Sequence, residues 1–363
     1  MTRVYFDWNV WSFLTSTEID INNLSQRCRN KAIEIFISPV IIEEMCQSPH
    51  NIIDASIKVI EELKTSPILK YPNEIETKEL LIEMRHSCPN LVSKSIPLIC
   101  PIFGDGNSQT DRDWQKLLSN EYSVDSNIMH RIKKNKLINK YYQIRLKHNN
   151  FLLDTICDEI SVEKATSKIN KISQLWIQPE KLTIKHLENE IKKVKKRPHN
   201  SIIKEWVEYE EIEKEKVIAE FCKSQIISEY ILPFYNKQVY RSTKVDYFLE
   251  SLNINDANDG LNLMTCLCDR IDFERIPSLW ISIAIAVLQL KKEVKKSNVF
   301  DQMHAVYLKE LDIFLTCDKQ FFKILSGNLM KNYLKSIGSR CRIIYLHPND
   351  ITNEMIISKI SVV

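Results

Sequence analysis

Residues 299–321 read VFDQMHAVYLKELDIFLTCDKQF, and the fold turns on how this stretch is divided. Phe300, Met303, Ala305, Val306, Leu308 and Leu311 recur at helical spacing and leave charge on the other face. Asp312 to Thr316 is too short for a helix and rich in strand formers, which predicts a buried strand. Asp318 follows just past it, where an open α/β sheet has its ligand crevice. Asp301 stands at the start of the helix. An acid at a helix start and another after the next strand can bring distant carboxylates together.

Working outward, the N-terminal segment Arg3 to Leu14, RVYFDWNVWSFL, reads as an apolar strand ending at Asp7 and turning into an amphipathic helix. Asp7 therefore stands at a strand's carboxyl end, and Asn9 is close enough to reach the same crevice. Aspartyl-phosphate chemistry would need a second acid two residues on, and this chain has Asn9 there. Glu34 to Ser38 is a second strand, and Ser38-Pro39 opens a helix with Ser38 as N-cap and Pro39 in the first position. Glu43 and Glu44 fall in the second turn of that helix. Cys341 to Leu346 reads as a last strand.

Between Asn51 and Asp272 helical periodicity prevails, with breaks at Pro89–Gly106, Pro179, Arg197–Asn200 and Asn253–Gly260. Asn255 to Cys266 approaches a calcium loop but has Ala257 and Cys266 where oxygen ligands are needed. Lys192, Lys193, Lys195, Lys196 and Arg197 form a basic cluster, and Glu205 to Glu215 holds six glutamates in eleven residues. Two solvated helix faces would explain both. The sharper reading makes the basic cluster a contact for a nucleic-acid backbone. Arg131 to Lys136, followed by Tyr141-Tyr142, offers a similar surface with aromatic stacking.

The bulk properties agree with a folded protein of one large or two ordinary domains: 363 residues, 44% hydrophobic and 27% charged. A net charge of +3 names no partner. Only 5 Gly argues against sandwiches, barrels and Gly-rich phosphate loops, so helix should dominate. The ten Cys include no zinc-like pair and are expected to be small buried hydrophobes of a cytoplasmic protein. The chain enters a strand at Val4 without a signal-peptide pattern. Its most apolar run, Leu279 to Leu290, is shorter than the roughly 20 residues that span a bilayer. It is predicted to be a core helix with Pro277 in its first turn, and no membrane association is expected.

Four acids thus stand where an α/β sheet would gather them: Asp7, Glu44, Asp301 and Asp318. Carboxylates at close range raise one another's pKa, and a cation relieves that cost. An all-oxygen set favours Mg²⁺ or Mn²⁺ over zinc, and such ions can activate water against a phosphodiester.

At these places the chain resembles the PIN-domain nucleases. Asp7-Trp8-Asn9 resembles their opening D-x-N, and Ser38 with Glu44-Met45 six positions on resembles their S-x-x-x-x-x-E-L segment. Asp301 to Ala305 resembles the D-x-x-x-A helix, and Phe314 to Lys319 the strand end f-v-T-x-D-k. The resemblance implies a three-layer α/β/α domain with a central parallel sheet and an acidic Mg²⁺ or Mn²⁺ pocket that cleaves RNA. Asp7, Glu44, Asp301 and Asp318 would be the catalytic metal ligands, with Asn9 and Thr316 orienting them. Asp312 would be auxiliary, and Glu43 the substitute for Glu44 in a shifted register. His304 is expected to be a packed core histidine. The similar pieces cover 1–50 and 275–363, so the domain is expected at 1–55 and 275–363, interrupted by a helical insertion at 56–274. A toxin or phage-defence effector with an RNA substrate and a protein inhibitor is the role the family implies, and the helical insertion is a candidate homodimer contact. The alternatives are the same site acting on DNA or structured nucleic acid, and a non-catalytic scaffold binding RNA or protein.

Overall fold

The computed structural model describes residues 1–17, 19–64, 68–93, 102, 114, 115, 134, 137, 141, 182–195, 211–226, 230, 243–254, 262–289 and 298–361. It is a mixed α/β protein with a four-stranded, all-parallel sheet and mostly helical content. The chain divides into two compact units. The first is Met1–Pro72, Pro101–Ile132 and Phe300–Val363; the second is Asn73–Cys100 and Lys133–Val299.

The first unit contains the sheet. Strand β1 (Thr2–Phe6) leads into helix α1 (Trp8–Ser16) and then α2 (Ile21–Asn30). Strand β2 (Ile33–Phe36) is followed by α3 (Pro39–Met45) and α4 (His50–Leu63). The sequence-predicted N-cap holds: the Ser38 Oγ accepts from the Ile41 N–H at 3.4 Å, and Pro39 starts the helix. Helix α4 packs on α1 and α2, so this unit extends past residue 55 and reaches Pro72.

Helices α5 to α9 are Pro72–Ser87, Ile184–Lys195, Glu211–Ile226, Thr243–Glu250 and Pro277–Gln289. They lie in the second unit, where α7 packs on α9. Helix α9 is buried nearly throughout, as its apolar run predicts, and the Glu79 carboxylate accepts the Ser278 N–H at its start at 2.8 Å. It belongs to this helical unit, whereas the sequence alone grouped residues from 275 onward with the sheet. Cys88 and Cys266 are joined as a disulfide in the same unit. The expectation that every cysteine is a free buried thiol is therefore corrected for these two. Cys28, Cys46 and Cys222 do fit that expectation. Tyr141 is 1% exposed, so its ring is not offered for stacking, and Tyr142 lies outside the described residues.

The chain returns to the sheet through α10 (Asn298–Ala305), a 3₁₀ turn (Val306–Lys309) and β3 (Ile313–Thr316). Then come α11 (Lys319–Leu325), α12 (Asn328–Ser336), β4 (Arg342–Tyr345) and α13 (Asn353–Ile360). The spatial strand order is β2-β1-β3-β4. Ile313, Phe314 and Leu315 are fully buried between β1 and β4, which is why β3 reads as an uninterrupted apolar run. Among the described residues no helix is long and apolar enough to cross a membrane.

Candidate functional site

Strand order decides where a ligand crevice falls. From β1 the chain crosses to β2 on one side, and β3 lies on the other side of β1. The progression of strands therefore reverses between β1 and β3, and the carboxyl ends of these two parallel strands flank the switch point. Asp7 follows β1 and Asp318 follows β3. They are 311 positions apart in the chain, yet the β1–β3 register of Val4↔Ile313, Tyr5↔Phe314 and Phe6↔Leu315 puts them at one sheet end. The ladder continues one residue further, as the Asp7 N–H donates to the Leu315 carbonyl at 3.0 Å.

Thr316 links the two. Its hydroxyl donates to the Asp7 carboxylate, and its Oγ1 accepts the Asp318 N–H at 2.9 Å. The other Asp7 oxygen accepts the Val10 N–H at 3.1 Å and so caps α1. Asp7 is 2% exposed. Burial pushes its carboxyl up from the ordinary 3.8 to about 6. The Thr316 bond, the nearby His304 and the Val10 N–H pull it back, and Glu44 adds a smaller upward push. This carboxyl can hold or release a proton near neutral pH.

Asp318 is half-buried and caps α11, accepting the N–H groups of Gln320 at 2.7 Å and Phe321 at 2.9 Å. Asp301 is half-buried on α10, three residues before His304 and so on the same helix side. Glu44, on α3, points its carboxylate at His304: Oε2 lies 2.6 Å from Nε2. The other ring nitrogen, Nδ1, lies 2.7 Å from the Tyr5 hydroxyl, which in turn lies 2.6 Å from the Ser38 hydroxyl. His304 is 2% exposed, and Tyr5 and Ser38 are fully buried. Tyr5, Ser38 and His304 are thus site groups that sequence reasoning did not single out as such. Ser38 entered the sequence reading as a helix cap and as the start of the S-x-x-x-x-x-E-L segment, and His304 as a packed core histidine.

The remaining expected residues stand elsewhere. Asn9 is exposed and makes no hydrogen bond to Asp7, whose partners are Thr316 and Val10. Glu43 is buried and accepts from the Tyr71 hydroxyl, roughly a quarter-turn of helix away from Glu44's direction. Asp312 lies at the opposite end of β3, about 13 Å away by strand rise. There it accepts the Arg3 N–H at 2.8 Å, with the Arg3 guanidinium at 3.6 Å. Lys192 and Lys193 are exposed on α6 in the second unit, Lys193 paired with Glu190 at 2.5 Å. Lys195 ends that helix, and Lys196 and Arg197 lie outside the described residues.

Two chemistries can be tested against this geometry. Cys317, between Thr316 and Asp318, is no thiolate nucleophile: burial and then the Asp7 charge push its thiol up to about 12. For a divalent cation the donors are of the right oxygen type, but the arrangement does not fit. Among the described residues no three His, Cys, Asp or Glu side chains are grouped to hold a metal ion. Glu44 turns its Oε2 to His304 instead, and Asp318 gives one oxygen, Oδ1, to a helix cap. Comparison with protein-family models, with curated proteins and with solved structures finds no match.

Proposed function

We propose that the crevice over the ends of β1 and β3 is the catalytic site of an endonuclease that hydrolyses phosphodiester bonds of RNA. The domain is read as PIN-like, interrupted by the helical second unit, with Asp7, Glu44, Asp301 and Asp318 as its catalytic acids. The observation that carries this reading is the Asp7–Thr316–Asp318 link. Two segments chosen by motif from opposite ends of the chain are hydrogen-bonded neighbours at a topological switch point.

In this reading Asp7 takes the proton of the attacking water, because its carboxyl is held near neutrality by burial. The water oxygen forms a bond to phosphorus as the bond to the leaving oxygen breaks, and the leaving oxygen takes its proton from solvent. Thr316 keeps Asp7 in place while this happens. Dependence on Mg²⁺ or Mn²⁺, a role as a toxin or defence effector, and an inhibitor or second copy as partner rest on the PIN resemblance alone. A second reading, a PIN-like scaffold that binds without cleaving, is favoured by one observation. Glu44 and Asp318 spend carboxylate oxygens on partners inside the protein.

The test incubates the full chain with labelled single-stranded RNA and DNA, in Mg²⁺, Mn²⁺ or EDTA, beside its Asp7→Asn variant. RNA cleavage that falls at least about 100-fold in Asp7→Asn supports the nuclease, since loss of a general base costs about 10²–10⁴-fold. Equal activity of the two proteins removes Asp7 from the mechanism. Binding without cleavage under every condition favours the scaffold.

A further inference from the structure

The relay Ser38–Tyr5–His304–Glu44 uses four side chains from three chain segments. Ser38 caps α3, Tyr5 is near the carboxyl end of β1, His304 is on α10, and Glu44 is back on α3. The hydrogen bonds therefore close a ring through helix α3 itself. Their lengths, 2.6, 2.7 and 2.6 Å, are those of well-formed bonds, and the first three members are buried. Packing alone would not call for a histidine with both ring nitrogens satisfied.

Donor and acceptor chemistry orders the protons. A backbone N–H can only donate, so Ser38 Oγ accepts from Ile41 and has its own proton to give. A carboxylate can only accept, so Glu44 takes the proton on His304 Nε2. With a single ring proton on Nε2, Nδ1 accepts the Tyr5 O–H, and Tyr5 takes the Ser38 O–H. Tyr5 keeps its phenolic proton because burial, first, and Tyr307 next raise its pKa. Every donor then points toward Glu44.

We infer that His304 is a positioning residue: held from behind by Tyr5 and Ser38, it orients Glu44 toward the crevice, so Glu44 works as an oriented carboxylate and not as a metal ligand. This rests on reading that crevice as the catalytic site. His304 itself has no ring nitrogen left for substrate, which excludes it as the acid or base.

The experiment has two arms on the full chain. In the first, ¹⁵N-labelled histidine is read by NMR at neutral pH, with the His304→Gln variant assigning the signal. The expected result is the Nε2–H tautomer in wild type, with Nδ1 shifted in Tyr5→Phe. An Nδ1–H tautomer, or a Tyr5→Phe spectrum identical to wild type, overturns the relay. In the second arm, His304→Ala should lower kcat by up to about 100-fold with KM unchanged, the cost of letting a catalytic group drift by about 1 Å. His304→Gln, which keeps a donor near Nε2, should recover most of it. Equal losses in Ala and Gln variants, tracking a fall in melting temperature, would make His304 a packing residue and overturn the inference. A wild type that cleaves nothing sinks the nuclease reading instead, and the tautomer still decides the relay.

Discussion

The Asp7 carboxyl is held away from water at the carboxyl end of β1. With the folded value raised to about 6 from the ordinary 3.8, the folded protein binds this proton more tightly than the unfolded chain does. Stability from this group is therefore full below about pH 4 and is lost as pH rises toward about 6. The whole loss is on the order of 3 kcal/mol. Asp7→Asn carries no such charge, although its amide gives Thr316 no second carboxylate oxygen. That cost does not vary with pH. Denaturant melts of both proteins across the window should show wild type losing ground to Asp7→Asn as pH rises. A constant gap, or one that moves the other way, would mean Asp7 is not a desolvated charge.

At the scale of elements, two left-handed junctions lead the chain into strands β2 and β4. Ala32, just before β2, has φ 51°, the left-handed region that costs a side-chain-bearing residue about 1 kcal/mol or more. Its carbonyl accepts the Thr2 N–H at 2.9 Å, where β1 begins beside β2. Gly338, after α12, adopts φ 73°, with its N–H on the Lys335 carbonyl and the Ser339 N–H on Leu334, an arrangement suited to glycine. Ala32→Gly should therefore stabilise the protein by about 1 kcal/mol, and Gly338→Ala should destabilise it by a similar amount. Thermal melts of the two variants check this, and shifts of the same sign would contradict it. Ser38 serves at this scale too, capping α3 and anchoring the relay with one hydroxyl.

At the scale of the whole molecule, each unit carries its own cross-chain tie. In the second, Cys88 and Cys266 are 178 positions apart, and a loop of that length adds about 3–5 kcal/mol when closed. Digestion without reductant should yield a peptide pair joining these two cysteines, and reduction should lower the denaturation midpoint. Recovery of both as alkylated thiols from the untreated protein would show no such bond. Lys192 and Lys193 are exposed on α6, and the proposed RNA reading makes their basic cluster a backbone contact. Replacing Lys192, Lys193, Lys195 and Lys196 with Gln should flatten the salt dependence of RNA binding by up to about 3 in log–log slope. An unchanged slope would leave them as a solvated face, with Lys193 already paired to Glu190.

Much of the sheet unit was legible along the chain. The runs at Val4–Phe6 and Ile313–Thr316, the Ser38-Pro39 cap and the apolar helix from Pro277 each carry their own local signal, since periodicity and capping depend on neighbours a few residues away. The placement of Asp7 and Asp318 at strand ends followed from the same signals. The side-chain pairings did not. That Thr316 meets Asp7, that Glu44 turns to His304 while Glu43 turns to Tyr71, and that Cys88 finds Cys266 depend on strand order, register and helix rotation. A one-residue slip in register sends a strand's side chains to the other face, and one step along a helix turns a carboxylate by about 100°. Local sequence constrains neither, because both are decided when the whole core packs.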